Sequence, residues 1–212
     1  MPDAEEQIVR RLLTAIDDDA GVSQRGLSDE IGIAVGSVNW YLKRCVNKGL
    51  IKLQQAPVKR YLYYLTPQGF DEKARLTASF IQSSFALYRL GRKECMDFFG
   101  NCAQTGKQNV VLVGDGDFAE IAVLSSLDTK ANARMVIDGA SNRETCGGVP
   151  IVASLEAALG QLDTPPGAVL VSSLNDPKGT YRGIKEQVIA AGLSPEIIHV
   201  PRILNYRPGR DD

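Results

Sequence analysis

From Asn109 onward the chain alternates in a way that few folds accommodate. NVVLVGDGDFAEIAVLSSL and ARMVID come first, and the β-like runs GAVLVSS and EIIHV then alternate with helical SLEAALGQL and YRGIKEQVIAAG. Apolar runs separated by helical stretches are the pattern of a parallel sheet with flanking helices. Residues 109–212 are therefore expected to form a Rossmann-like α/β domain.

The first half has a different character. Residues 31–70 hold six Lys or Arg and no Asp or Glu, in a chain of formal net charge −1. Trp40, Tyr41, Tyr61, Tyr63 and Tyr64 are interleaved with those cations. Residues 1–108 carry 15 Lys/Arg against 12 Asp/Glu, and residues 109–212 carry 9 against 13. A seam between two domains is expected near NCAQTGKQN, a polar, Gly-containing stretch just before the β-rich run.

Ile8, Leu12 and Ile16, with Val9 and Leu13 beside them, have helical spacing. Ser23 is a good N-cap for a second helix through Leu27 and Ile31, stopped at Gly32. A third helix is expected from about Ala34 to Lys48, with Gly49 as its C-cap. On a helical wheel Val35, Val38, Leu42, Cys45 and Val46 fall on one side. Gly36, Trp40, Lys43 and Asn47 fall opposite, flanked by Ser37 and Arg44. LIKLQQAPVKRYLYYLTP then predicts a hairpin with Lys59 and Arg60 beside its tip.

Three short helices followed by a basic hairpin are a winged helix-turn-helix, expected over residues 1–66. A helix entering the major groove needs hydrogen-bonding and cationic side chains without carboxylates, because DNA carries one negative charge per ~1.7 Å of axis. Double-stranded DNA is the expected partner. Ser37, Asn39, Trp40, Lys43 and Arg44 are expected on the groove, with Lys59 and Arg60 at phosphate or in the minor groove.

SQRGLSDEIGIAVGSVNWYLKRCVNKGLIKLQ, followed by YLYYLTPQGFDEKARLT, resembles the MarR-type winged-helix regulators associated with bacterial exopolysaccharide gene clusters. The likeness spans about residues 5–90 and implies a dimeric DNA-binding regulator. Gly26 departs from it, standing where helix-favouring residues are usual, so a short or bent second helix is expected.

Thr66-Pro67 supplies an N-cap and an N1 proline for a long helix. Phe70, Ala74, Ala78, Ile81, Phe85 and Tyr88 form one stripe, widened by Leu76, Phe80 and Leu87. Residues 67–108 are therefore expected to be a helical linker and dimerisation region, and the chain a homodimer reading two half-sites.

Gly114-Asp115-Gly116-Asp117-Phe118-Ala119 is a G-x-G-x-x-A directly after an apolar strand and opening a helix. Glycines there allow a tight turn and let a phosphate approach the helix N-terminus. Asp138 ends the second strand, where an acid can accept a ribose hydroxyl, and Ser172 and Ser173 follow a later strand at its carboxyl end. Gly114, Gly116, Asp117, Phe118, Ala119, Asp138, Ser172 and Ser173 are thus the expected contacts of a nucleotide-type ligand, NAD or a nucleotide sugar. Asp115 and Asp117 place negative charge beside any diphosphate. VIDGASNRETCGGVPIVASLEAAL is similar to the nucleotide-binding domains of bacterial polysaccharide-biosynthesis proteins, without the glycine-loop histidine of their acyltransferase branch. A winged helix in front of a Rossmann-like domain also resembles Rex-type NAD(H) redox repressors.

Composition, 44% apolar and 23% charged, is that of a globular protein. No apolar run approaches the ~20 residues that span a bilayer, and MPDAEEQIVR lacks a signal-peptide core, so a cytoplasmic protein is expected. Cys45, Cys95, Cys102 and Cys146 lack metal-ligand spacing and are expected to be free thiols without metal. His199 is the sole histidine. Tyr181 and Lys185 have the spacing of the short-chain dehydrogenase pair, but NDPKGT before them reads as a loop and helix cap. No catalytic residues, and no enzyme, are expected. The competing class is an enzyme that carries a DNA-binding module.

Overall fold

The computed structural model describes residues 4–56 and 60–209. Two compact units divide at Ala86/Leu87. The first opens with α1 (Ala4–Asp18), α2 (Gln24–Ile31) and α3 (Val35–Asn47). The Ser23 hydroxyl accepts from the Gly26 amide at 3.0 Å, and Gly32, at φ 75°, ends α2. Gly26 thus sits in the first turn of a helix of eight residues, where the cap holds its N–H. Leu12, Leu13 and Ile16 pack with Leu27, Ile31, Val38, Leu42 and Cys45, the inward rows of three helices meeting in one core.

After α3 the amide of Leu50 reaches the Cys45 carbonyl and that of Gly49 the Val46 carbonyl. Gly49 takes φ 72°, a left-handed conformation that glycine adopts without steric cost. The chain then enters an antiparallel hairpin, β1 (Ile51–Ala56) and β2 (Arg60–Leu65). Ile51 and Tyr63 face the core while Leu53, Tyr61 and Tyr64 are exposed. This is the wing of the winged helix.

Pro67 opens α4 (Pro67–Gln104), 38 residues long, with Thr66 accepting from the Gly69 amide. Thr66 also donates to the Gly49 carbonyl, tying the end of α3 to the start of α4. Gly69 is required there: a Cβ would overlap the Leu50 carbonyl. Leu76 belongs to the first core, whereas Cys95, Phe98, Phe99 and Cys102 of the same helix belong to the second. The division within α4 corrects the seam expected near residues 101–109. That polar stretch is only the end of a helix already committed to the second core.

The second unit is a six-stranded sheet, order β5-β6-β4-β3-β7-β8. Its strands are β3 (Asn109–Val113), β4 (Asn132–Ile137), β5 (Thr145–Cys146), β6 (Val149–Val152), β7 (Ala168–Val171) and β8 (Ile198–His199). The pairings β3/β4, β3/β7, β4/β6 and β7/β8 are parallel, as the alternation of runs predicts, and only β5/β6 is antiparallel. The connecting helices are α5 (Asp117–Ser126), α6 (Leu155–Leu159) and α7 (Pro177–Ala190). Val110 to Leu112 and Val169 to Val171 are wholly buried, which is why these segments read as continuous apolar runs. Gly91 of α4 lies against Phe118 of α5, where a Cβ would come within 3.1 Å of the ring.

The sequence reading did not anticipate the β5–β6 hairpin, turned by Gly147 and Gly148 at φ 56° and 84°. Asp176 caps α7 through the Gly179 amide, so NDPKGT is indeed a loop and cap. The four cysteines are free and buried. Burial pushes the Cys45 thiol up to about 11 and that of Cys95 up to about 12. Among the described residues no helix is long and apolar enough to cross a membrane.

Candidate functional sites

Two surfaces carry the residues singled out above, one in each unit. On α3, Ser37, Trp40 and Lys43 are exposed and Asn39 is half-buried. Lys43 has no ion-pair partner among the described residues. Arg44 does not present the free cation that the wheel suggests. Its guanidinium meets Glu5 of α1 at 2.6 Å and lies 5.1 Å from the Trp40 ring centre. An ion pair this exposed contributes at most about 1 kcal/mol, but it takes Arg44 out of the outward-facing set. No sequence signal links Glu5 to Arg44, because the pairing follows from how α1 crosses α3.

The wing cations are less fully placed. Lys59 lies outside the described residues, and Arg60 opens β2 in register with Ala56. Lys48 and Lys52 add exposed positive charge between α3 and the hairpin.

In the second unit the glycine loop joins β3 to α5 at the carboxyl end of the sheet. Strand order reverses between β3 and β7, the place where sheets of this kind hold ligands. Gly114 takes φ 102°, and an added Cβ would come within 2.7 Å of the Ser173 amide nitrogen. The fold itself therefore demands this glycine. Gly116, at φ 141°, has nothing within 4 Å of the same position.

Several expected contacts turn inward. Phe118 and Ala119 are buried in the core, because the first turn of α5 lies on the sheet, so only their backbone amides face the loop end of the helix. Ser172 is buried and donates to the Gly114 carbonyl at 2.6 Å, stitching β7 to the loop. Ser173 is half-buried beneath Gly114, and Asp117 is exposed.

Asp138 is a clamp: its carboxylate accepts from the Asp115 amide and from the Ala140 amide, both at 2.9 Å. Asp115 is one-tenth exposed and accepts from the Ser141 hydroxyl at 2.8 Å, with Arg143 3.4 Å away. Arg143 also meets Glu120 at 2.6 Å. Burial, and then the Asp115 carboxylate, push the Cys146 thiol up to about 11. Ser141 and Arg143 were not foreseen as members of this network. The only trace in the sequence was SNR directly after the strand-ending Asp138-Gly-Ala. Asp115, Asp117, Glu120 and Asp138 thus surround the loop with Arg143 as their counter-charge.

A separate cavity of about 560 Å³ lies along β8, lined by Lys93, Glu94, Phe98, Lys107, His199 and Arg202 among others. His199 is exposed there, its ring stacked on Phe98 with centres 4.8 Å apart. Tyr181 is buried against Tyr206, with Lys185 5.8 Å from its ring centre, a packing arrangement.

The family model for winged helix-turn-helix DNA-binding matches residues 5–52, which span α1 to the start of the wing. A search of curated proteins finds no match. Among solved structures the chain is similar to an O-methyltransferase from neocarzinostatin biosynthesis (NcsB1) in complex with S-adenosyl-L-homocysteine. Identity is 16% and the TM-score 0.38, with 97% of this chain and 88% of that one covered. Human N-acetylserotonin methyltransferase in complex with SAM is similar at 13% identity and a TM-score of 0.31, covering 92% and 75%. Both neighbours are enzymes, which overturns the expectation that this chain is not one. Likeness at this level carries no argument about what it would catalyse.

The clamp generates a measurable expectation. Asp138→Ala removes two hydrogen bonds to a charged group, each worth about 1.5–3 kcal/mol. The second unit should lose stability on that scale in urea, and the amides of Asp115 and Ala140 should exchange faster with solvent. Unchanged exchange at both would show that the carboxylate does not hold the loop.

Proposed function

We propose that the chain is a dimeric DNA-binding transcriptional regulator whose α/β domain senses a nucleotide-type metabolite, a nucleotide sugar or NAD. One observation carries this reading. Within the segment matched to winged helix-turn-helix DNA-binding, α3 presents an exposed face without a carboxylate. The likeness of GSVNWYLK and its surroundings to exopolysaccharide-associated MarR-type regulators supports polysaccharide genes as the target.

Dimerisation is supported by the middle of α4. Phe80, Ile81, Phe85, Leu87, Tyr88 and Leu90 are all exposed, Phe85 by 57%. With Phe70, and at ~150–250 Å² for each aromatic side chain, the exposed apolar area is on the order of 600 Å². A standard interface buries ~800 Å² per partner, so a second copy is an adequate occupant. The ligand reading is supported by Gly116, which the fold does not require for space, beside the amide end of α5 and the Asp138 carboxylate.

Duplex binding should weaken with salt, and Lys43→Ala should flatten the slope of log K against log salt by about 1.8, one phosphate contact from each copy of the dimer. Arg44→Ala should change it less, because Glu5 already offsets that charge. An unchanged slope for Lys43→Ala would reject the groove assignment.

Sedimentation should show a dimer at micromolar concentration, and Phe85→Asp should give a monomer. A wild-type monomer would reject the interface.

Nucleotide sugars and NAD, screened by thermal unfolding, should include one that stabilises the protein, by about 2.7 kcal/mol at a hundred times its Kd. Gly116→Val should abolish that shift. A shift that survives would put the ligand elsewhere.

A further inference from the structure

We infer that Gly36 and Trp40 select sequence on the α3 face by admitting the 5-methyl group of a thymine. This rests on the DNA-binding reading above and names what that surface recognises. Residues i and i+4 stand one turn apart on the same side of a helix, so the two share a row that continues to Lys43. Trp40 is 54% exposed, yet its indole is not loose. It meets the Tyr41 ring edge-on, with centres 4.8 Å apart, and the Arg44 guanidinium lies 5.1 Å from its centre. Tyr41 in turn packs on the first core. The indole is thereby held to one side, and nothing stands within 4 Å of where a Gly36 Cβ would project.

The result is an open stretch of helix backbone at Gly36, one turn from an exposed indole. Gly100 and Gly183 share the openness of Gly36, but neither has this row beside it in an acid-free segment. The chemistry of the face narrows what fits. Arg reads guanine through two parallel hydrogen bonds, and the one Arg of α3 would have to leave Glu5 to do so. Thymine is the base that places a methyl group in the major groove, where apolar contact recognises it. The six cations of residues 31–70 supply the charge that brings the phosphates close.

The test uses the full chain and sites recovered from a random duplex library. Each thymine of one half-site is replaced in turn by deoxyuridine, which removes only the methyl. At one position the change should weaken binding about four-fold, the factor for burying one such group at about 0.8 kcal/mol. In Trp40→Ala that penalty should vanish. Gly36→Ala should unfold at or above the wild-type temperature and bind scrambled duplex equally well, but lose its preference for the recovered site. A deoxyuridine penalty at no position, or one unchanged in Trp40→Ala, overturns the inference. If Trp40→Ala instead alters only sedimentation, the indole faces protein and the inference fails. If no duplex of any sequence binds in a salt-dependent way, the underlying DNA-binding reading fails with it.

Discussion

Leu76 and Phe99 lie on one helix and in two different cores, and the rest of the chain is arranged around that fact. A helix of 38 residues is far longer than the three or four turns usual in globular proteins, and its own propensity does not hold it together in water. The first turns are fixed by Thr66 and by the close approach at Gly69, the last by the packing of Cys95, Phe98, Phe99 and Cys102 under the sheet. Between these anchors Phe80, Ile81, Phe85, Leu87, Tyr88 and Leu90 belong to neither core among the described residues and are exposed. A helix apolar over so much of its surface is costly to leave in water, and the proposed second copy would cover it.

The glycine loop shows why a motif and a site are different things. Gly114 answers to Ser173, Ser172 to the Gly114 carbonyl, and Asp138 to two amides, so most of the motif is explained by the loop holding itself. Only Gly116 remains without an internal reason beyond its own backbone angle. The carboxylates around the loop also oppose a second pair of negative charges, which the pairing of Arg143 with Asp115 and Glu120 offsets in part. A ligand lodged there is best accommodated with its ribose, rather than its phosphates, nearest Asp138.

How much of this was legible follows from which interactions are local. Ser23, Gly32, Gly49 and Thr66 act within a few residues of themselves, and their roles were read correctly from spacing. The buried strands β3 and β7 were equally plain, because burial on both faces leaves an unbroken apolar run. The β5–β6 hairpin was not, since β5 has only two residues and β6 pairs with it at only two positions, too few to carry a periodicity. The side chains of Phe118, Ala119 and Ser172 turn inward, which the motif does not reveal, because it fixes backbone path and not the side on which each side chain falls. The ion pair of Arg44 was hidden for a different reason: its partner Glu5 is in another helix, and a helical wheel contains no second helix.

The loss of Arg44 from the free cations changes what DNA binding asks of the fold. Lys43 is left as the exposed charge at the centre of the α3 face, joined by Lys48 and Lys52 toward the wing. Each phosphate neutralised adds about 0.9 to the salt exponent, so a single copy with so few contacts binds weakly at physiological salt. In the proposed dimer, two copies joined through α4 would double the contacts, and once one half-site is held the second would engage at the effective concentration set by the link rather than the bulk. The exposed stripe of α4 and the sparse charge of α3 are then two sides of one energetic problem. In that proposal the affinity that one helix cannot supply alone would be recovered by pairing, and a weakly charged helix leaves correspondingly more of the discrimination to the shape of its outer face.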